Sequence, residues 1–556
     1  MFFAPRSHHL PSLLFLLLAP LIGTAATAPS LVVMIAVDQM RYDYLERFKA
    51  HFEPGGFRLF TERGAHFADC HYRHSTTKTA PGHALMLSGV HADVHGIIAN
   101  DWIDRSSFLR VNSVDDDSVQ PLGVAELRAG ARRPGLEPAF GYSPRNFLST
   151  TVPDEFKLAR GGQPKVISIS SKDRSAVLLG GKLANAAYWM DQGRLISSTY
   201  YMQELPPWVQ AFNDSGRVEA YFGRTWDRLL PEVAYLTQGL DDVEGEYTGL
   251  GLSRTFPKRV DGGTTEVSPE FYAAFEHTPF KSEVMMDFVR EVVEHEDLGR
   301  RGVTDVLCIS FSVNDTIGHD TGPDSHEVMD ITLRTDRRLA EFFTYLDARV
   351  GLKNCTIVLT SDHGVAPTPE HLKRMRPALD AGRLSLSKVL STAEDSLNTA
   401  FGPLADGARW LVIDGNWLLL APAALEEKAL ARVDAENTIR DALLSIDFIT
   451  DVYTRTDLQK GIALGKFGVG TLLSFNRTRS GDVFYQVKPH WIERSGTGST
   501  HGTPYNYDTH VPLLWFGVGV TPGIRTERVG VDDLAPTLAH ILGISAPPQS
   551  QGRILF

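Results

Sequence analysis

Six residues of metal-ligating type stand directly behind apolar runs or between them. Asp38 closes "LVVMIAVD" (31–38), Asp362 and His363 close "CTIVLTSDHG" (355–364), and Asp315 and His319 lie four apart behind "DVLCISFS" (305–312). His501 sits in "GSTHGTPYNYDTHVP", just ahead of "VPLLWFG" (511–517), while "VISIS" (166–170) runs into "SKDRS" with Lys172 and Arg174. Each pairing alone is common. Their shared position carries the weight, because an open parallel sheet binds ligands beyond the carboxyl ends of its strands. Three carboxylates and three imidazoles on one rim are a ligand set for two divalent ions, and Asp/His ligation without thiolate suits catalytic zinc. A threonine hydroxyl, a poor nucleophile near neutral pH, is activated beside such an ion. "HSTTKTAPGHALMLSG" offers Thr76, Thr77 and Thr79 ahead of a helix-like stretch, whose N-terminus favours a bound phosphate. On chemistry alone any of the three serves.

The runs that carry these residues are short and rich in β-branched residues, as buried parallel strands are, and "VPLLWFG" is read as the last of them. Helix-like stretches such as "SEVMMDFVREVVEHE" (282–296) and "SHEVMDITLRTDRRLAEFFTYLDARV" (325–350) separate many of them. The alternation predicts an α/β fold, a mostly parallel central sheet with helices on both faces. The pattern weakens over residues 180–280 and restarts as a second unit over 380–480, and both are expected as insertions capping a catalytic domain of residues 27–556.

Residues 1–26 carry one arginine, an apolar run from Leu10 to Ile22 and an alanine-rich end, the pattern of a secretory signal peptide. The run is too short for a bilayer core of about 30 Å and Pro20 interrupts it. The mature chain is therefore expected without a membrane span, in the periplasm or secreted. With 67 acidic against 55 basic residues, a formal net charge of -12, it lacks the basic surface of a nucleic-acid partner, so any phosphate has to be held locally. The three cysteines, Cys70, Cys308 and Cys355, allow at most one disulfide, and the last two lie in apolar runs that favour buried, inert thiols.

The text "TxTxPGHxxxxSG…HGIxxNxWxD", with "SKDRS", "NDxxGHxxGPxS", "TSDHG" and "THGTPYNYDTHVPL", resembles the bacterial periplasmic alkaline phosphatases of the PafA/PhoK type. The closing "VGVDDLAPTLAHILGISAPPQSQGRIL" resembles the C-terminal end of the same superfamily, so the likeness spans nearly the whole mature chain. The resemblance implies an alkaline phosphatase-like fold and a monomer. It implies two Zn²⁺, one held by Asp315, His319 and His501, the other by Asp38, Asp362, His363 and the Thr79 oxygen. It singles out Thr79 as the nucleophile that forms a phosphothreonine, and implies that Asn100, Lys172 and Arg174 grip the phosphoryl oxygens. Lys78 and His83, beside the nucleophile, receive no role.

A charge count then selects the substrate. Two Zn²⁺, three carboxylates, a threonine alkoxide, Lys172 and Arg174 sum to about +2, which a phosphate monoester dianion neutralises. A diester carries one negative charge and a second bulky group where the lysine and arginine reach, so small-molecule phosphate monoesters are the expected substrates. The competing readings are a phosphodiesterase or nucleotide pyrophosphatase on the same scaffold, and a zinc- and phosphate-binding periplasmic protein without turnover. A sulfatase is argued against, since "TKTAPGHA" lacks the Cys/Ser-x-Pro-x-Arg pattern.

Overall fold

A computed structural model describes residues 1, 2, 4, 28–124 and 141–556. The leader expected over residues 1–26 lies outside the described residues, apart from Met1, Phe2 and Ala4.

Following the chain, the strands are β1 (Leu31–Val37), β2 (Ala65–Phe67), β3 (Pro121–Leu122), β4 (Val166–Ser170), β5 (Ala186–Asp191), β6 (Arg194–Ser198), β7 (Asp305–Phe311) and β8 (Cys355–Thr360). After them come β9 (Leu411–Asp414), β10 (Trp417–Leu420), β11 (Ile449–Thr454), β12 (Val483–Val487), β13 (Leu513–Gly517) and β14 (Gly523–Arg525). Ten of these form one large mixed sheet in the order β14-β2-β13-β8-β1-β7-β4-β5-β6-β3. Its centre is parallel: β1 lies between β7 and β8, and β4 extends the run beyond β7.

The helices that matter to the site and core are α1 (Thr79–Ser88), α2 (Asp173–Gly180), α3 (Pro279–His295), α4 (Val313–Thr321), α5 (His326–Arg349), α6 (Leu386–Phe401), α7 (Arg432–Leu443) and α8 (Leu534–Ile541). All but α6 and α7 lie along the large sheet and cover both its faces, and β1 shows why. Its side chains alternate across the sheet. Leu31, Val33, Ile35 and Val37 join the core under α3 and α5, while Val32, Met34 and Ala36 join the core under α1 and α8. A strand packed on both sides has no polar face, so it reads as a continuous apolar run.

Two expectations need correction. The run read as a last parallel strand forms β13, which pairs antiparallel with β8. The chain leaves β8 at the rim, builds the second inserted unit, and returns to the sheet from that same rim, so its next strand has to run the other way. The stretch expected as an insertion from about residue 180 begins with β5 and β6, a hairpin belonging to the central sheet. Its turn, Gln192–Gly193, carries positive φ at both residues, 44° and 76°. That is the turn chemistry that matches strand twist in a two-residue hairpin.

The second inserted unit has its own sheet, in the order β9-β10-β12-β11, and its own core, in which Trp410, Leu418 and Tyr485 pack under α6 and α7.

Candidate active site

Register sets the height at which each functional residue leaves the sheet. Val37 pairs with Phe311, Ala36 with Thr360, and Ser310 with Ser170. Asp38, the start of α4, Asp362 and Lys172 therefore emerge together on one rim.

Asp315 and His319, four apart in the sequence, are both carried by α4, one turn apart on one helix face. His319 Nε2 lies 3.3 Å from Asp315 Oδ1, and His501 Nε2 lies 3.6 Å from the same oxygen. On the other side, His363 Nε2 lies 3.1 Å from Asp362 Oδ2 and 3.4 Å from Thr79 Oγ1. Ligand atoms of Asp38 and Asp362 lie within 4.8 Å of each other.

Three features fit this set to metal ions. First, each imidazole is fixed by its Nδ1–H on a backbone carbonyl, His319 on Ser499 (2.8 Å), His363 on Gly364 (2.9 Å) and His501 on Thr77 (2.7 Å). That leaves Nε2 as the nitrogen that faces the carboxylates and that would meet an ion once it carries no proton. Second, Asp38 and Asp362 are fully buried, and each has one oxygen engaged and one without a hydrogen bond. Asp38 Oδ1 accepts from Ser310 Oγ at 2.8 Å and Asp362 Oδ1 from the Gln39 N–H at 3.0 Å, while both Oδ2 atoms lack a hydrogen-bond partner. A buried carboxylate oxygen without a partner is costly unless a cation meets it. Third, the His363 and His501 rings stack with centroids 3.4 Å apart and planes 13° from parallel. Ligand atoms of both rings also lie within 4.8 Å of one from Asp315, so His363 faces the Asp315 group as well as Asp362.

Thr79 is the first residue of α1 and is buried. Pro81 falls in the first turn, where its missing N–H costs no helical bond. Gly82 lets the turn touch the Asp362 backbone, since any Cβ there would collide with the Asp362 carbonyl. Asn100 Oδ1 accepts from the Ala80 N–H at 2.8 Å, which pins the amide to the same helix start and leaves its Nδ2 donors free for a ligand. Lys172 Nζ donates to Asp315 Oδ2 and lies 3.5 Å from Asp38 Oδ2, so it bridges the carboxylates of the two ligand groups. Arg174 lies 3.5 Å from Asp173 with Nη1, and its buried Nε has no partner.

The charges respond to one another. Burial alone would raise the Asp315 carboxyl, but His319, Lys172, His501 and His363 outweigh it and hold it well below the usual range. Asp38 is likewise lowered, with burial opposed by His83 and Lys172. Burial disfavours charge on His363, yet Asp362 and Asp315 push its pKa up to about 9. His319 and His501 are lowered, chiefly by burial.

All the residues singled out from the sequence thus lie on one rim. Sequence reasoning missed Gln39 and Ser310, which hold the carboxylates, and left His83 without a part. His83 lies within 3.4 Å of Asp38 and 3.5 Å of Asp362, but its nitrogens are taken by the Thr79 carbonyl and Ser310 Oγ, so it buttresses the site. A histidine one turn after Thr79 was the only available signal. The cysteines are free and buried.

The family described as Type I phosphodiesterase / nucleotide pyrophosphatase matches residues 32–510. Alkaline phosphatase PhoV of Synechococcus elongatus is 34% identical, covering 95% of this chain and 92% of the relative. Alkaline phosphatase PafA of Elizabethkingia meningoseptica is 30% identical, covering 95% and 94%, and its crystal structure superposes with a TM-score of 0.86 over 96% of this chain and 99% of that one. The chain belongs to the PafA/PhoK-type alkaline phosphatases, on the type I phosphodiesterase scaffold. This alkaline phosphatase is also 33% identical to a protein of Myroides odoratus named calcium-transporting ATPase, over 93% and 92% of the two chains. A PafA variant with a threonine, an asparagine, a lysine and an arginine replaced has been solved as well, with a TM-score of 0.85 and 29% identity to this phosphatase. Among the described residues of the phosphatase, no helix is long and apolar enough to cross a membrane.

Proposed function

We propose that this phosphatase hydrolyses phosphate monoesters through a phosphothreonine on Thr79, with two Zn²⁺ as its metal ions. Asp315, His319 and His501 would hold one ion, and Asp38, Asp362, His363 and the Thr79 oxygen the other. The observation that carries the reading is Thr79 Oγ1 at a helix start, 3.4 Å from His363 Nε2 and beside two buried carboxylates whose Oδ2 atoms accept no hydrogen bond. The PafA variant supports it, since the same four residue types recur here in the same order as Thr79, Asn100, Lys172 and Arg174. Bound zinc supplies a lowered hydroxyl and water pKa and a positive charge for the leaving oxygen.

The chain's own residues do the rest. Thr79 oxygen attacks phosphorus in line, its bond to phosphorus forms, and the bond to the alcohol oxygen breaks. Water then displaces the threonine oxygen and inorganic phosphate leaves. Asn100 offers the Nδ2 donors that its anchored Oδ1 leaves over. Lys172 has three donors and one hydrogen-bonded carboxylate, Asp315, so donors remain for a phosphoryl oxygen. Arg174 brings a buried guanidinium edge without a partner. Such donors act by positioning and by charge, the main levers in phosphoryl transfer. The leader ahead of Ala28 would deliver the enzyme to the periplasm or the exterior.

The family match keeps a diesterase on the same scaffold as the second reading. The ratio of kcat/KM for a p-nitrophenyl monoester to that for its methyl diester decides between them. A ratio far above one is expected, a ratio below one assigns the site to diesters, and zinc and phosphate binding without turnover of either makes the protein a binder.

A further inference from the structure

Gln39 stands between the two ligand groups and touches both. Its backbone N–H donates to Asp362 Oδ1 at 3.0 Å, and its side-chain Nε2 donates to Asp315 Oδ1 at 2.6 Å. A second, longer approach of Nε2 to the Asp315 carbonyl, 3.4 Å, keeps the amide over the first turn of α4. The residue is buried.

Two further features show that the chain is shaped around this contact. Gln39 follows β1 with φ of 64°, in the left-handed region that side chains other than Gly, Asn and Asp rarely adopt. A buried glutamine held there points to a functional constraint. The opposite wall is Gly318, the residue before His319 on α4, where any Cβ would collide with the Gln39 amide oxygen. A glycine inside a helix is unfavourable unless something needs the space, and here the amide occupies it.

We infer that Gln39 is a positioning residue that ties the two metal-ligand groups together, presenting Asp315 to one ion through its amide and Asp362 to the other through its backbone. The inference rests on the two-ion reading above. The N–H on Asp362 Oδ1 leaves Oδ2, the atom nearer His363, as the oxygen for the ion. The amide on Asp315 Oδ1 occupies one lone pair of the oxygen that faces His319 and His501, and so fixes how the carboxylate turns toward that pair. The two bonds are separable, because a side-chain substitution removes only the amide.

The test is zinc binding by Gln39→Asn, with Gln39→Met as the second variant. Asparagine tolerates a left-handed backbone and keeps the N–H to Asp362, but its amide is one methylene too short for Asp315. Wild-type and variant chains are titrated with zinc against a competing chelator, metal content is measured per chain, and Co²⁺-loaded spectra report each site separately. Wild type is expected to hold two ions. Both variants should weaken one ion by about 10- to 100-fold, as losses of such supporting bonds do, with the other ion unchanged and Gln39→Met showing the same pattern. A structural defect would weaken both ions together or lower the melting temperature without this selectivity. Two wild-type-strength ions in a folded variant, or equal weakening of both, overturns the role of Gln39 and leaves the two-ion site standing. Fewer than two ions in wild type overturns the two-ion reading itself.

Discussion

Asp69, His71 and His510 stand on the same rim of the sheet as the candidate site, and their ligand atoms come within 4.8 Å of one another, as those of Asp315, His363 and His501 do. Residues beyond β2 reach that rim because β2 runs antiparallel to β13, which itself runs antiparallel to β8. The two groups differ in what their atoms still need. Asp69 Oδ1 meets His71 Nε2 at 2.9 Å, His71 Nδ1 meets Thr509 Oγ1 at 3.1 Å, and His510 Nε2 meets the Ala68 carbonyl at 3.0 Å. Tyr42, His510 and His71 form a column of stacked rings, with centroids 4.4 and 4.5 Å apart. This cluster is a packing unit that leaves no buried polar atom without a hydrogen bond. In the candidate site two fully buried carboxylates, Asp38 and Asp362, each keep an oxygen that accepts no hydrogen bond. A ligand set is thus recognised by the atoms left over after folding, more than by residue types on a shared rim.

Substitutions sharpen that contrast. Thr79→Ala in zinc-loaded enzyme is expected to cost on the order of 10⁴-fold or more in kcat, as other nucleophile deletions do, with zinc content retained; steady-state kinetics and metal analysis read both. Asp362→Asn, which neutralises a carboxylate with an unpartnered oxygen, should lower zinc content by one ion per chain. Arg174→Ala should cost about 10²- to 10³-fold on a monoester and far less on a diester, so the ratio of the two specificity constants falls. His510→Asn belongs to the satisfied cluster. It should leave zinc content and kcat unchanged and cost about 1 kcal/mol of stability through one lost hydrogen bond, read as a small drop in melting temperature. If His510→Asn released an ion, the distinction between the clusters would fail.

Much of the site was legible because its residues end strands, and strand ends can be read from composition. Asp38 follows an uninterrupted apolar run and Asp362 a largely apolar, β-branched one, and a two-sided sheet writes such runs plainly. Direction was less legible. Nothing in "VPLLWFG" says that β13 runs against β8, since that depends on where the second inserted unit returns the chain. The β5–β6 hairpin was hidden because its turn uses Gln192 at positive φ, where glycine or asparagine would have announced it. The helix under Asp315 and His319 was hidden by Gly318, a residue that reads as a loop until the Gln39 amide beside it is seen. Ser310 and Gln39 have no signature of their own, because their work lies in which atom they meet.

The most direct test is rapid chemical quench of zinc-loaded enzyme turning over a phosphate monoester labelled in the phosphoryl group, followed by peptide mapping. Label on Thr79, formed and lost at rates that support kcat and absent in Thr79→Ala, is the predicted result. Full turnover with no labelled peptide, or with label on Thr76 or Thr77 alone, would contradict the account.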